Sequence, residues 1–284
     1  MRKVITLTPE VSKRLIAKAV ARRPDVQRAF KQGYIVLSLG TTCGYIVEEL
    51  SGNDIPRGRY ACGLIGSKGP CLLGPEEQFR LTVFDHGEMV QLKSKENSLD
   101  FSASLLKYLE KMGPDDIFIK GGNVMDAWGK VAVLVGGPEG GEIGAALPHI
   151  ERGVASIIPM PVSKTIPGKI EDIISALKDE KVTKEWCDAE PYEAIVLPGE
   201  VMTEIDAIRQ LFAIEALPIA QGGIGASRGS TTFLLFGPDR EVEAAYGCLQ
   251  DMKSEPALPE VKELNCRTCP AYTFLREKQG RPLD

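Results

Sequence analysis

The chain has only two histidines, which excludes a His-rich metal site. No apolar run approaches the roughly 20 residues that span a bilayer. The opening, MRKVITLTPE, lacks the apolar core of a secretory signal, so a cytoplasmic location without membrane contact is expected. A dense Lys/Arg tract is missing as well. With a formal net charge of -5, a nucleic-acid footprint is not indicated. The seven cysteines are odd in number and lack the spacing of a disulfide framework, which fits reduced thiols. Cys266 and Cys269 form a lone CxxC; a structural zinc needs four ligands, and no second pair stands at suitable spacing. Neither a metal nor another cofactor is expected.

What remains is an ordinary globular composition, 43% hydrophobic and 26% charged, over 284 residues. That length suits one large domain, or a moderate domain with a small companion. Its most informative stretch is DIFIKGGNVMDAWGKVAVLVGGPEGGEIGAALPHI, Asp116 to Ile150. A short apolar strand, Ile117 to Ile119, stops at Lys120-Gly121-Gly122. A turn through Asp126 to Lys130 leads into a second strand, Val131 to Val135. That strand ends in Gly136-Gly137-Pro138-Glu139-Gly140-Gly141-Glu142, where a helix starts toward His149. In open α/β sheets ligands sit where strand ends meet glycine-rich loops and helix N-termini.

The flanking pattern agrees with such a sheet. Helices are expected over Thr8 to Ala21, with Thr8 as N-cap and Pro9 at N1, and over Pro24 to Lys31. Ile35 to Leu39 reads as a buried strand, Gly40-Thr41-Thr42 as a tight loop, and Tyr45 to Leu50 as helix. Tyr60 to Gln91 reads as β structure with a hairpin at His86-Gly87, which makes His86 a turn residue before it is a catalytic one. Phe101 to Lys111 is helical, Val154 to Pro161 a strand, and Ile170 to Lys178 a helix. The alternation implies a Rossmann-like parallel sheet with helices on both faces. After a polar break, strand (Ala194 to Leu197), helix (Thr203 to Phe212), strand (Ala216 to Ala220), strand (Thr231 to Phe236) and helix (Glu241 to Met252) give a βαββα order. A small ferredoxin-like α+β domain is the expectation. The domains are placed at 1–190, 191–255 and an extended C-terminal tail over 256–284.

Three side chains invite a chemical role. Lys120 can neutralise a phosphate or carboxylate, or act as an acid; the bland reading is a solvated lysine at a strand end. Glu139 and Glu142 flank a helix N-terminus, where a carboxylate is favoured by about 0.3–1 kcal/mol. That accounts for one of them and leaves the other as a candidate base or nucleophile. Gly40, Thr41 and Thr42 present amides and hydroxyls to an anion, unless a threonine merely caps the helix. Gly121, Gly122, Gly140 and Gly141 allow a ligand to approach backbone closely, with Asn123 beside them. Asn123 and Asp126 also favour turns through their own side chains. Cys43, near a helix N-terminus where a thiol pKa can fall, is a weak nucleophile candidate. The ends at Gly40, Gly121 and Gly136-Gly137 are expected to gather on one edge of one parallel sheet.

LSLGTTCGYIVEEL, Leu37 to Leu50, and IKGGN, Ile119 to Asn123, resemble motifs of the ribose-5-phosphate isomerases. Their superfamily includes glucosamine-6-phosphate deaminases, CoA-transferases and the ligand-sensing domains of some transcriptional regulators. The resemblance covers about Leu15 to Pro161. It implies that Gly40, Thr41 and Thr42 bind a sugar phosphate and that Lys120 is the lysine of the IKGG motif. The isomerases' acidic pair has no counterpart; Asp115 and Asp116 abut the strand start instead. Their Arg-Glu-Lys segment is replaced by Asp126 to Lys130. A glutamate of the CoA-transferase kind is matched in role by Glu139 or Glu142, without the flanking residues. The expected function is an isomerase-like or CoA-transferase-like enzyme acting on a phosphorylated or CoA-linked small metabolite. The alternative is a non-catalytic binding or sensory protein with the same cleft. The expected partner is an anionic small molecule, and self-association into a homo-oligomer is compatible with the chain.

Overall fold

The computed structural model describes residues 1–56, 60–66, 69–71, 81–92, 102–136, 139–178 and 193–258. The chain is a mixed α/β protein whose centre is a six-stranded sheet. Four of its strands are β2 (Tyr34–Leu37), β7 (Ile117–Ile119), β10 (Ala155–Pro159) and β12 (Glu200–Met202), side by side and mutually parallel. The sheet continues through β5 (Leu81–Asp85) and β6 (Glu88–Leu92), both antiparallel to their neighbours, so it is mixed where a parallel sheet was expected; β3 (Leu64–Gly66) and β4 (Gly69–Cys71) pair apart from it. The reason is local. His86, at φ 51, and Gly87, at φ 87, make a two-residue turn that folds β6 straight back on β5. β2, β7 and β10 are nearly continuous apolar runs, as strands covered on both faces must be.

Eight α-helices lie among the described residues. α1 (Pro9–Arg22) starts as expected, with the Thr8 side chain accepting from the Val11 amide and Pro9 in the first turn. It packs against α3 (Thr41–Ser51) and α7 (Glu204–Phe212). α2 (Pro24–Gln32) leads into β2, and α4 (Ser102–Leu109) packs against α5 (Gly141–Glu151). α6 (Ile170–Lys178) and α8 (Asp239–Asp251) complete the set.

Three elements depart from the sequence reading. Val131 to Val135 is β9, yet it lies outside the parallel sheet. It forms an antiparallel trio with β8 (Val124–Met125) and β11 (Glu193–Val196). The connection through Asp126 to Lys130 is too short for the crossover of a dozen or more residues that a parallel neighbour needs. Gly136 therefore does not end a strand of the central sheet, and Gly137 lies outside the described residues. β1 (Arg2–Leu7) was not anticipated, although Ile5 and Leu7 alternate with exposed Val4 and half-exposed or exposed neighbours. β12 is too short to show a period.

The second half of the chain forms the expected helices and strands, but its strands are shared among three sheets. β11 joins β9, β12 closes the central sheet, and β13 (Glu215–Gly222) and β14 (Ser230–Phe236) pair with β1 in the order β1-β14-β13. One hydrophobic core runs from Ile5 through β2, β7 and β10 to Leu249. A small second cluster, Ala132, Ile170 and Ala194, sits beneath the β8-β9-β11 trio against α6. Cys266, Cys269 and the rest of 259–284 lie outside the described residues. Among the described residues no helix is long and apolar enough to cross a membrane.

Candidate functional site

Parallel strands end on the same side, and this brings the loops after β2, β7, β10 and β12 to one edge. The backbone ladder carries the strands right up to those loops. Ser38 N donates to Ile119 O at 3.0 Å, Lys120 N to Ile157 O at 3.2 Å, and Met160 N to Met202 O at 2.9 Å. Gly40 and Gly121 are thus neighbours at the ends of paired strands.

On this edge Lys120, Ser38 and Glu142 interlock. Lys120 Nζ donates to Ser38 Oγ at 2.8 Å and to Glu142 Oε2 at 3.3 Å. The Ser38 hydroxyl donates to the same Oε2, and the Leu39 amide reaches it at 3.2 Å. Ser38 has no accessible surface, and the lysine and glutamate side chains are 12% and 13% exposed. At such low exposure a charge is retained only when paired and hydrogen-bonded, a condition that each of these two satisfies. Three donors converge on Oε2, while among the described residues no hydrogen bond engages Oε1.

Glu142 arrives here through α5 and not through a strand. Gly140, at φ 69, is the helix N-cap, and a Cβ there would stand 2.8 Å from Ile195 Cδ1. Glycine is required at this bend, whatever Gly140 and Gly141 do for a ligand. Glu139, one turn ahead, is exposed.

The anion loop differs from the sequence reading in one respect. α3 begins at Thr41, four residues earlier than expected, with Gly40 as N-cap at φ 152. Among the described residues no side chain caps this helix, and no acidic residue stands in its first turn. Thr41 is half-buried and Thr42 buried within that turn, so neither threonine acts as the cap. The first-turn amides consequently have no side-chain acceptor among the described residues.

Cys43 loses its nucleophile reading. Its thiol is fully buried, donates to Ile119 O at 3.8 Å, and burial pushes its pKa up to about 11. The helix N-terminus does not overcome the loss of solvation.

Around Gly122 the packing is tight. A Cβ there would meet Val131 Cγ1 at 2.2 Å and Ala132 O at 2.9 Å, so this glycine is needed for the β9 hairpin to lie against the end of β7. Asn123 ties the same region together, donating to Gly63 O at 2.8 Å and accepting from Leu134 N at 2.9 Å. Asp126 is the turn residue expected, since its Oδ1 accepts from the Trp128 and Lys130 amides, both at 2.9 Å.

Two further groups at this edge escaped the sequence reading. Lys164 follows β10 in a short 3-10 turn, Val162–Lys164, and its Nζ donates to Gly122 O at 2.7 Å. Burial, then the nearby positive charges of Lys13 and Lys120, bring its pKa down to about 8. Lys13, on α1, is itself lowered by burial. Glu204, the first residue of α7, is wholly buried and accepts from Val162 N at 2.8 Å, with its carboxyl pushed up by burial. The available signal was the position of Lys164 just after an apolar strand, the same context that drew attention to Lys120.

The edge therefore holds three lysines, Lys13, Lys120 and Lys164, one carboxylate that is ion-paired with a lysine, Glu142, and the buried carboxyl of Glu204. Among the described residues no group of three or more His, Cys, Asp or Glu is placed to hold a metal ion. Fold and site define a mixed α/β protein with a lysine-rich edge at the C-terminal ends of its parallel strands. Comparison with models of protein families, with curated proteins and with solved structures gives no match.

Proposed function

We propose that this protein is an enzyme acting on an anionic small metabolite, phosphorylated or CoA-linked, by isomerase-type proton transfer. The observation that carries the reading is the Ser38–Lys120–Glu142 network beside the uncapped N-terminus of α3. The amides at the start of α3, at Gly40, Thr41 and Thr42, take the anion, helped by the excess of lysine charge. Glu142, held by Oε2, uses Oε1 to remove a proton from the substrate. Lys120, a fraction of whose donors is spent on Ser38 and Glu142, neutralises the oxyanion that forms. Burial of the pair strengthens this stabilisation relative to water.

In this reading the four parallel strands with their helices are a Rossmann-like unit, and β13, β14, α7 and α8 are its α+β companion. A CoA-transferase-type reaction through Glu142 as nucleophile is the variant that CoA-linked substrates would select. A non-catalytic sensory protein with the same cleft is the second reading. It is favoured by the way Ser38, Lys120 and Glu142 satisfy one another, which a binding site needs no chemistry to explain.

The test is a panel of sugar phosphates and acyl-CoA esters, followed by thermal shift and turnover. A ligand that raises the melting temperature in the wild type and in Glu142→Gln, but is converted only by the wild type, is the expected result. A drop in turnover of about 100-fold or more is anticipated for that variant. Binding unchanged with no turnover in either protein selects the sensory reading. No shift with any member of the panel removes both.

A further inference from the structure

Lys164 has no part in the proton transfer just described, yet its surroundings are those of a reactive amine. It rises from the loop after β10, next to the loop after β7 that carries Lys120. Its ammonium faces a neutral backbone carbonyl, Gly122 O at 2.7 Å, and among the described residues no carboxylate pairs with it. The charged and titratable groups that bear on it are Lys13 from α1, Lys120 from the end of β7 and Cys43 from α3, with Glu142 of α5 paired to Lys120 and Glu204 of α7 on the Val162 amide of the same turn. Two of these are cations, and Cys43 is held as the neutral thiol by its own burial. Lys164 as a whole residue is half-buried, and its amine lies at the buried end of the side chain. A lysine placed for structure alone is normally given a carboxylate or left to water.

We propose that Lys164 is an imine-forming residue, and that the substrate of this cleft is an anionic aldehyde or ketone. The neutral ε-amine adds to the carbonyl carbon, forming the N–C bond as the C=O π bond breaks. A proton passes from nitrogen to oxygen, and the carbinolamine loses water to leave the C=N bond. No oxidant or reductant is consumed. The desolvation and the like charges that lower the lysine to about 8 supply the neutral amine near physiological pH. The same crowding of cations makes a protonated imine unfavourable unless the substrate brings a negative charge. Carbonyl and anion are therefore wanted in one molecule. The anionic half of this inference rests on the proposed function; the amine half does not.

The full-length chain is incubated with dihydroxyacetone phosphate and cyanoborohydride, digested, and mapped by mass spectrometry, with dihydroxyacetone in a parallel arm. The expected result is a reduced adduct on the Lys164 peptide, at about tenfold or more the occupancy of any other lysine. Its rate should rise with pH through a midpoint near 8. In the Lys164→Arg protein that adduct is absent. Labelling spread evenly over the lysines, or confined to Lys120, overturns the inference. Equal labelling of Lys164 by both probes keeps the amine chemistry and removes the anionic-metabolite reading. No labelling of Lys164 by either probe, in a protein whose melting temperature still rises with inorganic phosphate, removes the inference and leaves the proposed function standing.

Discussion

Glu204 shows how burial, more than sequence neighbourhood, sets the chemistry of a single residue. It opens α7 and has no accessible surface. The Val162 and Glu204 amides and the Ser12 hydroxyl favour its charged form, but loss of solvation outweighs them and raises the carboxyl above its ordinary 4.5. The folded state then holds the proton more tightly than the unfolded chain. Between 4.5 and the raised value the native state binds more protons, so stability falls as pH rises through that window. Glu204→Gln keeps an oxygen for the Val162 amide and cannot ionise. Urea unfolding is expected to show a decline of stability with pH above about 4.5 in the wild type and none from this site in the variant. Equal slopes in the two proteins would mean that another group controls it. The same competition separates Cys43 from Lys164: burial leaves the thiol inert and the lysine reactive, because it favours the neutral form of each.

Among the elements, α7 carries its own start signal. Thr203 accepts from the Asp206 amide while Asp206 accepts from the Thr203 amide at 2.9 Å, a reciprocal pair that satisfies two orphan donors. Thr203→Ala is expected to cost about 1 kcal/mol, read from the urea midpoint with an unchanged slope. Loss well under half of that would show that packing of α7 on α1 alone holds the helix. The β8-β9 hairpin is the opposite case. Its turn chemistry, from Asp126 to Gly129, was plain in the sequence. Its consequence, that β9 turns back and leaves the central sheet, follows from loop length.

For the molecule as a whole, the decisive contacts join distant parts of the chain. β1 pairs with β14 in full register from Arg2↔Phe236 to Leu7↔Thr231. Arg14 on α1 binds Glu48 and Glu49 on α3 and Glu255 beyond α8. β11 and β12 complete sheets begun before residue 160. Residues 1–190 and 191–258 expressed separately are therefore expected to be unfolded by circular dichroism and amide exchange, since each would leave strand edges and apolar faces uncovered. Two cooperatively melting fragments would show instead that the boundary near 190 separates self-sufficient units.

By itself the sequence determined the elements whose signals are local. Caps and apolar periods marked the helices, His86-Gly87 marked the hairpin, and Lys120 and Gly40 marked the ends of two neighbouring parallel strands. It also singled out Glu142, through a helix N-terminus and a glycine-rich loop. What only the tertiary structure decided was which strand lies beside which, and how much water each side chain keeps. Strand pairing is settled by contacts between residues far apart in the chain, so β1, β11 and β12 found partners that no local pattern names. Desolvation depends on everything packed around a group. It therefore took the fold to silence Cys43, to seat Ser38 between Lys120 and Glu142, and to bring Lys164 to the same edge.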